Sequence, residues 1–180
     1  MTGYLTQDKV SNSGETMSLK IPNKEIKEIF ETTVKKWFED NAKTIDRKEL
    51  FDAVWTGNAD ILTKEIGTLL RMTISYHDYK EDFYHAFLLG IFAGAGYSVE
   101  SNKEHGEGRS DVVVHDVEQG RVAVFEVKYA KTLNDMSSQC AKALKQIQDK
   151  MYAKDYEDEY EEIDCYGISF YKKRCMIRKI

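Results

Sequence analysis

The stretch Val122-Ala123-Val124-Phe125-Glu126-Val127-Lys128-Tyr129-Ala130 reads as a β-strand built to be buried, with one carboxylate and one ammonium set into it. Side chains alternate between the faces of a strand, so Glu126 and Lys128 point one way while Phe125, Val127 and Tyr129 point the other. A packed strand does not carry such a pair on one face without cause, because burying charge is costly. Fifteen residues earlier, Asp111 opens the strand-like run Asp111 to His115, where its carboxylate can meet Glu126 across a β-hairpin.

Working outward, Lys80 to Ala95 has a helical pattern closed by Gly94 and Gly96, followed by a strand over Tyr97 to Ser101. The turn signals EHGEG and VEQG separate that strand, the Asp111 run and the Arg121 to Tyr129 run. A helix is expected over Asn134 to Tyr152, then strands over Asp164 to Tyr171 and Arg174 to Ile180 around a Lys-Lys-Arg turn. Ahead of all this, TGYLT and SLKI read as two short extended segments, and three helices follow Pro22. The first carries the stripe Ile26, Ile29, Phe30, Val34, Trp37 and Phe38, read as core ahead of the alternative, an interface for a partner module. The second starts at Asp46 with Glu49 as a capping box and stops at Gly57; Asn58 caps the third. The fold class is therefore α/β: a hairpin and a small helical region over residues 1–75, then an α-β-β-β-α-β-β unit over 76–180, with helices bracketing a mixed central sheet.

At 180 residues and 42% hydrophobic, with eleven Tyr and eight Phe, the chain has the makings of a core and does not resemble a disordered polymer. No apolar run approaches the ~20 residues of a membrane helix. The N-terminus shows no signal peptide, and Cys140, Cys165 and Cys175 lack CxxC spacing. A cytoplasmic protein with free thiols and no membrane partner is expected. Net charge is −5, but Asp155 to Asp164 holds seven acids and no base, and without them the remainder is +2. Charge thus neither supports nor excludes a nucleic-acid partner.

Two carboxylates converging beside a lysine make a hard-oxygen site suited to Mg²⁺ or Mn²⁺. Phosphodiester cleavage needs that set: a cation to neutralise the phosphate and acidify a water, and a lysine to position the water or stabilise charge on phosphorus. The plainer reading is a cross-strand Asp/Glu-Lys cluster on a solvated strand face. His85 lies one helical turn after Glu81 and shares its face; it could sit at the site edge, but it reads first as a hydrogen-bonded structural histidine. Gly106, Gly108 and Arg109 could hold a phosphate or form an ordinary turn. Lys142, Lys145 and Lys150, and the cluster Lys172, Lys173 and Arg174, could contact a nucleic-acid backbone or be solvated charges.

The segments at residues 81–114 (EDFYHAFLLGIFAGAGYSVESNKEHGEGRSDVVV), 122–131 (VAVFEVKYAK), 141–152 (AKALKQIQDKMY) and 167–177 (GISFYKKRCMI) resemble the C-terminal PD-(D/E)xK nuclease-like domain of a bacterial AAA-ATPase-like family. GYLT and LKIPNKEI resemble the region that links the two modules of those proteins. No Walker A pattern occurs, so the chain resembles the distal portion of such a protein, and ATP binding is not carried over. The resemblance implies a restriction-endonuclease-like α/β sandwich and a Mg-dependent nuclease acting on nucleic acid, with DNA the expected substrate. It implies Asp111 and Glu126 as metal ligands and Lys128 as the catalytic lysine, with Ser110 where the family name has Pro. Glu81 is implied as a further metal ligand and Gln146 as a polar site residue. Residues 1–75 would meet an ATPase module or another protein. The alternative is a non-catalytic module that binds nucleic acid or regulates the ATPase.

Overall fold

A computed structural model describes residues 6–10, 17–20, 47–73, 81–105 and 108–180. The helix expected over residues 26–38 with its aromatic stripe, Pro22 and the Asp46 cap lie outside them. Strands β1 (Thr6–Val10) and β2 (Met17–Lys20) form a separate antiparallel pair; β2 falls on the expected SLKI segment, whereas β1 runs on from the last residue of TGYLT, whose residues 2–5 lie outside the described ones.

Helices α1 (Lys48–Trp55) and α2 (Ala59–Thr73) meet at a sharp corner. Gly57 supplies it with a left-handed φ of 72°. Asn58 then caps α2, its Oδ1 accepting from the Ile61 amide at 3.1 Å, as its position before the apolar stripe predicts. Helix α3 (Glu81–Ala93) buries every residue from Phe83 to Phe92, so it is apolar all round rather than amphipathic.

Strands β3 (Ser98–His105), β4 (Gly108–Asp116), β5 (Arg121–Tyr129), β6 (Glu162–Tyr171) and β7 (Arg174–Lys179) form one sheet in chain order. All neighbours are antiparallel except β5 and β6, which run parallel and are joined by α4 (Met136–Asp149). A parallel pair needs a crossover of this kind, so the mixed sheet follows from the long helical stretch between the strands. The helix is shorter than the expected span, with tight 3-10 turns at Leu133–Asp135 and Tyr152–Tyr156 at its ends. The β6–β7 hairpin turns on Lys172 and Lys173, and β6 begins inside the acidic run, at Glu162.

The sheet faces have different cores. Val112, Val114, Phe125, Val127, Ile168 and Phe170 pack beneath α1, α2 and α3. Val113, Val122, Val124 and Cys165 pack with Ile147, Tyr152 and Tyr156 on the α4 side. Helices α1 and α2 share the first core with the sheet: the Tyr166 hydroxyl donates to the Val54 carbonyl at 2.5 Å, and the Ile177 amide donates to Thr63 Oγ1 at 3.0 Å. Among the described residues no helix is long and apolar enough to cross a membrane.

Gly167, in the middle of β6, lets α4 lie close to the sheet. A Cβ there would stand 2.9 Å from the Cys140 carbonyl oxygen and 2.9 Å from Leu144 Cγ. Backbone on one side and a packed leucine on the other leave little room to give. Gly167→Ala is therefore expected to cost about 1–3 kcal/mol, the usual penalty of overpacking. Urea unfolding would show it as a lowered midpoint with an unchanged slope.

Candidate active site

The α4 face of β5 changes character along its length: Val122 and Val124 belong to the core, and Glu126 and Lys128 continue the same row. Next to them on β6, in register, are Gly167 and Ser169. Because Gly167 admits α4 so closely, Glu126 is covered as well, with 1% of its surface exposed. Lys128, two residues nearer the strand end, keeps 27% of its side chain in solvent. Its Nζ donates to Glu126 Oε1 at 2.5 Å.

Asp111 was expected to open its strand. The strand starts three residues earlier, at Gly108, and Asp111 instead marks where β4 leaves β5. The paired register ends at Val112 opposite Phe125, and continued by one step it sets Asp111 opposite Glu126. Beyond it, β4 pairs only with β3. At this fork the Val127 amide donates to Asp111 Oδ2 at 2.7 Å, a charge-assisted bond that holds the carboxylate at the strand junction. The other oxygen, Oδ1, stands 3.8 Å from His85 Nε2, too far for a hydrogen bond.

Burial pushes the Glu126 carboxyl up to about 8, and the neighbouring Asp111 charge pushes the same way, against the pull of Lys128. Two carboxylates so placed cannot both ionise cheaply. Glu126 Oε2 is buried and has no hydrogen-bond partner among the described residues. An orphaned carboxylate oxygen beside a second carboxylate fits a hard divalent cation, which would give that oxygen a partner and remove the repulsion. Among the described residues no three His, Cys, Asp or Glu side chains converge on one point; the site supplies two carboxylates.

A protein-family model for the PD-(D/E)XK nuclease superfamily matches residues 79–180. The chain belongs to the PD-(D/E)XK nuclease superfamily. A search of curated proteins gives no match. The mixed sheet flanked by helices is the restriction-endonuclease-like fold of that superfamily, with a helical region ahead of it.

The structure brings Asp111, Glu126 and Lys128 together, with His85 beside Asp111 alone. It puts Gln146 elsewhere: its amide Nε2 donates to the Tyr152 hydroxyl at 3.1 Å, near the C-terminal end of α4. No hydrogen bond or ion pair among the described residues joins Gln146 to the cluster. Glu81 begins α3 and Arg109 lies in β4, but their side chains are outside the described residues, as is Gly106. Lys145 pairs with Asp149 at 2.5 Å on the surface of α4. Gly167 is the position that sequence reasoning passed over, although a glycine inside an apolar strand is itself a sign of close backbone approach.

Proposed function

We propose that the domain hydrolyses phosphodiester bonds in nucleic acid, with DNA as substrate, at a site formed by Asp111, Glu126 and Lys128. The observation that carries this reading is the orphaned Glu126 Oε2 beside Asp111, with Lys128 at the solvent side of the same strand, in a chain of a nuclease superfamily.

Asp111 and Glu126, with Glu81 from the start of α3, would hold Mg²⁺ or Mn²⁺. When bound, the cation supplies charge neutralisation at the phosphate and a more acidic water. Lys128 combines a fixed partner with the greatest solvent exposure in the cluster. Its ammonium, anchored by Glu126, keeps donors for a phosphate oxygen or for the attacking water. The Val127 amide keeps Asp111 oriented, and α4 keeps solvent away from Glu126, which strengthens every charge interaction there. Arg109, from β4, and His85, from α3, would act as supporting groups. Residues 1–75 are read as the part that meets an ATPase module or another protein, a reading supported by the resemblance of GYLT and LKIPNKEI to an inter-module link.

The test is incubation of the protein with labelled single- and double-stranded DNA and with RNA, in Mn²⁺ or in EDTA. DNA cleavage in Mn²⁺ that EDTA abolishes is the expected result. A protein that binds Mn²⁺ and cuts none of these substrates would overturn the hydrolytic reading and leave a nucleic-acid-binding or ATPase-regulating module.

A further inference from the structure

The charges of this domain are sorted along the strands. The acidic run over residues 155–164 lies at the end of the sheet where β5 and β6 begin, with the Glu161 amide donating to the Gly120 carbonyl at 2.9 Å. The opposite end, where β5 and β6 finish, carries Lys131, Lys172, Lys173 and Arg174, with Arg71 at the end of α2 beside them. This is also the end toward which Lys128 emerges, since Lys128 and Tyr129 pair with Ser169 and Phe170, three and two residues before the β6–β7 turn at Lys172.

Among the described residues these cations are left without a carboxylate, Lys172 Nζ lying instead 5.4 Å from the centroid of the Tyr171 ring. Lys48, Lys64, Arg121, Lys145 and Lys179 each meet a carboxylate. Among the described residues Lys131, Lys172, Lys173 and Arg174 meet none, and the only bond of Lys173 is a long one of 3.5 Å to the Arg71 carbonyl. The turn is also anchored to the core. The Tyr84 hydroxyl donates to the Lys172 carbonyl at 2.9 Å, and the Tyr84 ring stacks on Phe170 at 4.5 Å. Lys172 itself has a φ of 51°. A left-handed lysine costs roughly 1–2 kcal/mol where Gly or Asn would sit at ease. A surface turn with no task beyond closing a hairpin gains nothing from that residue.

We propose that the β6–β7 turn is a backbone clamp, in which Lys172 and Arg174, with Lys131, hold phosphates of the nucleic acid flanking the bond presented to Lys128. The partner is a polyanion because cations that meet no carboxylate among the described residues, held on an anchored turn, suit repeating phosphates. The acidic far end repels the same polyanion, so the protein presents one end to it despite its net charge of −5. The inference rests on the nucleic-acid reading of the site and extends it from the reacting bond to its neighbours.

The test is binding rather than cleavage. Affinity for a fluorescein-labelled DNA duplex is measured by anisotropy in EDTA, between about 50 and 200 mM salt. The variants are the wild type, Lys172→Asn with Arg174→Gln, and a control with Lys154→Gln in the 3-10 turn beyond the far end of α4. Asn is at ease in the left-handed region, so the turn is kept. The turn variant is expected to bind roughly tenfold more weakly at the lower salt, with the salt slope reduced by about 2, near 0.9 for each phosphate no longer neutralised. The control should match the wild type. An unchanged slope in the turn variant, an equal loss in the control, or a wild type that does not bind DNA would each overturn the clamp. A wild type that binds through the turn and does not cut would uphold the clamp while removing the hydrolytic reading.

Discussion

Replacing Glu126 by Gln is expected to make the cation-free protein more stable above pH 8 while destroying its affinity for Mn²⁺. The unfolded chain ionises this carboxyl near its ordinary value of 4.5, whereas the folded protein holds the proton up to about 8. Between those values the native state binds more protons than the unfolded one, so the contribution of this group to stability falls as pH rises through that window and levels off above it. Gln has the shape of Glu, can still accept from Lys128, and has no charge to bury. The difference in stability between variant and wild type should therefore be near zero at pH 4, grow through pH 6 and 7, and reach a plateau above pH 8. Its size is on the order of a few kcal/mol, or roughly 5–10 °C in melting temperature for a chain of this length. Mn²⁺ should raise the melting temperature of the wild type and leave that of the variant unmoved, because the ion stabilises only the state that binds it. Since the ion must displace the Glu126 proton, wild-type affinity should also climb as pH rises toward 8. Thermal melts across pH, with and without Mn²⁺, check all three statements. A variant less stable than the wild type at pH 9 would contradict the account of why Glu126 is strained.

The second large effect concerns α1 and α2. A fragment starting at residue 79, where the superfamily match begins, should fail to fold cooperatively. It lacks Leu50, Val54, Leu62, Ile66, Leu69 and Leu70, each almost fully buried in the core beneath the sheet. Burying such side chains is worth about 1.5–3 kcal/mol apiece, so the six together rival the 5–15 kcal/mol that holds a typical domain. The cut also strands the Tyr166 hydroxyl, whose acceptor is the Val54 carbonyl. Circular dichroism with urea titration of the fragment against the whole chain decides it, and a sharp two-state transition in the fragment would contradict the prediction.

What the sequence made legible follows from what pattern can carry. Alternation in VAVFEVKYA put Phe125 and Val127 on one face and Glu126 and Lys128 on the other, and the two cores divide in that way. The Asn58 cap and the Lys172–Lys173 turn were equally readable, being local chemistry. The extension of β3 to His105 and of β4 back to Gly108 was not, because a two-stranded ribbon beyond the core has no apolar alternation to betray it. For the same reason the start of β6 was hidden in the acidic run. Gln146 could be placed on a helix but not rotated or slid along it, and the helix turns it toward Tyr152. The fork at Asp111 depends on where one strand stops pairing with another, a tertiary fact that residue types alone do not encode.

The most direct test of the site is metal-dependent DNA cleavage by the wild type and by Lys128→Ala, purified in parallel, with folding checked by circular dichroism. Removing one donor aimed at developing charge costs catalysts about 10²–10³-fold. The account predicts cleavage by the wild type in Mn²⁺, at least a hundredfold slower cleavage by Lys128→Ala, and Mn²⁺ still bound by the variant through Asp111 and Glu126. Equal cleavage by the two proteins, or none by a wild type that has bound the ion, would contradict it.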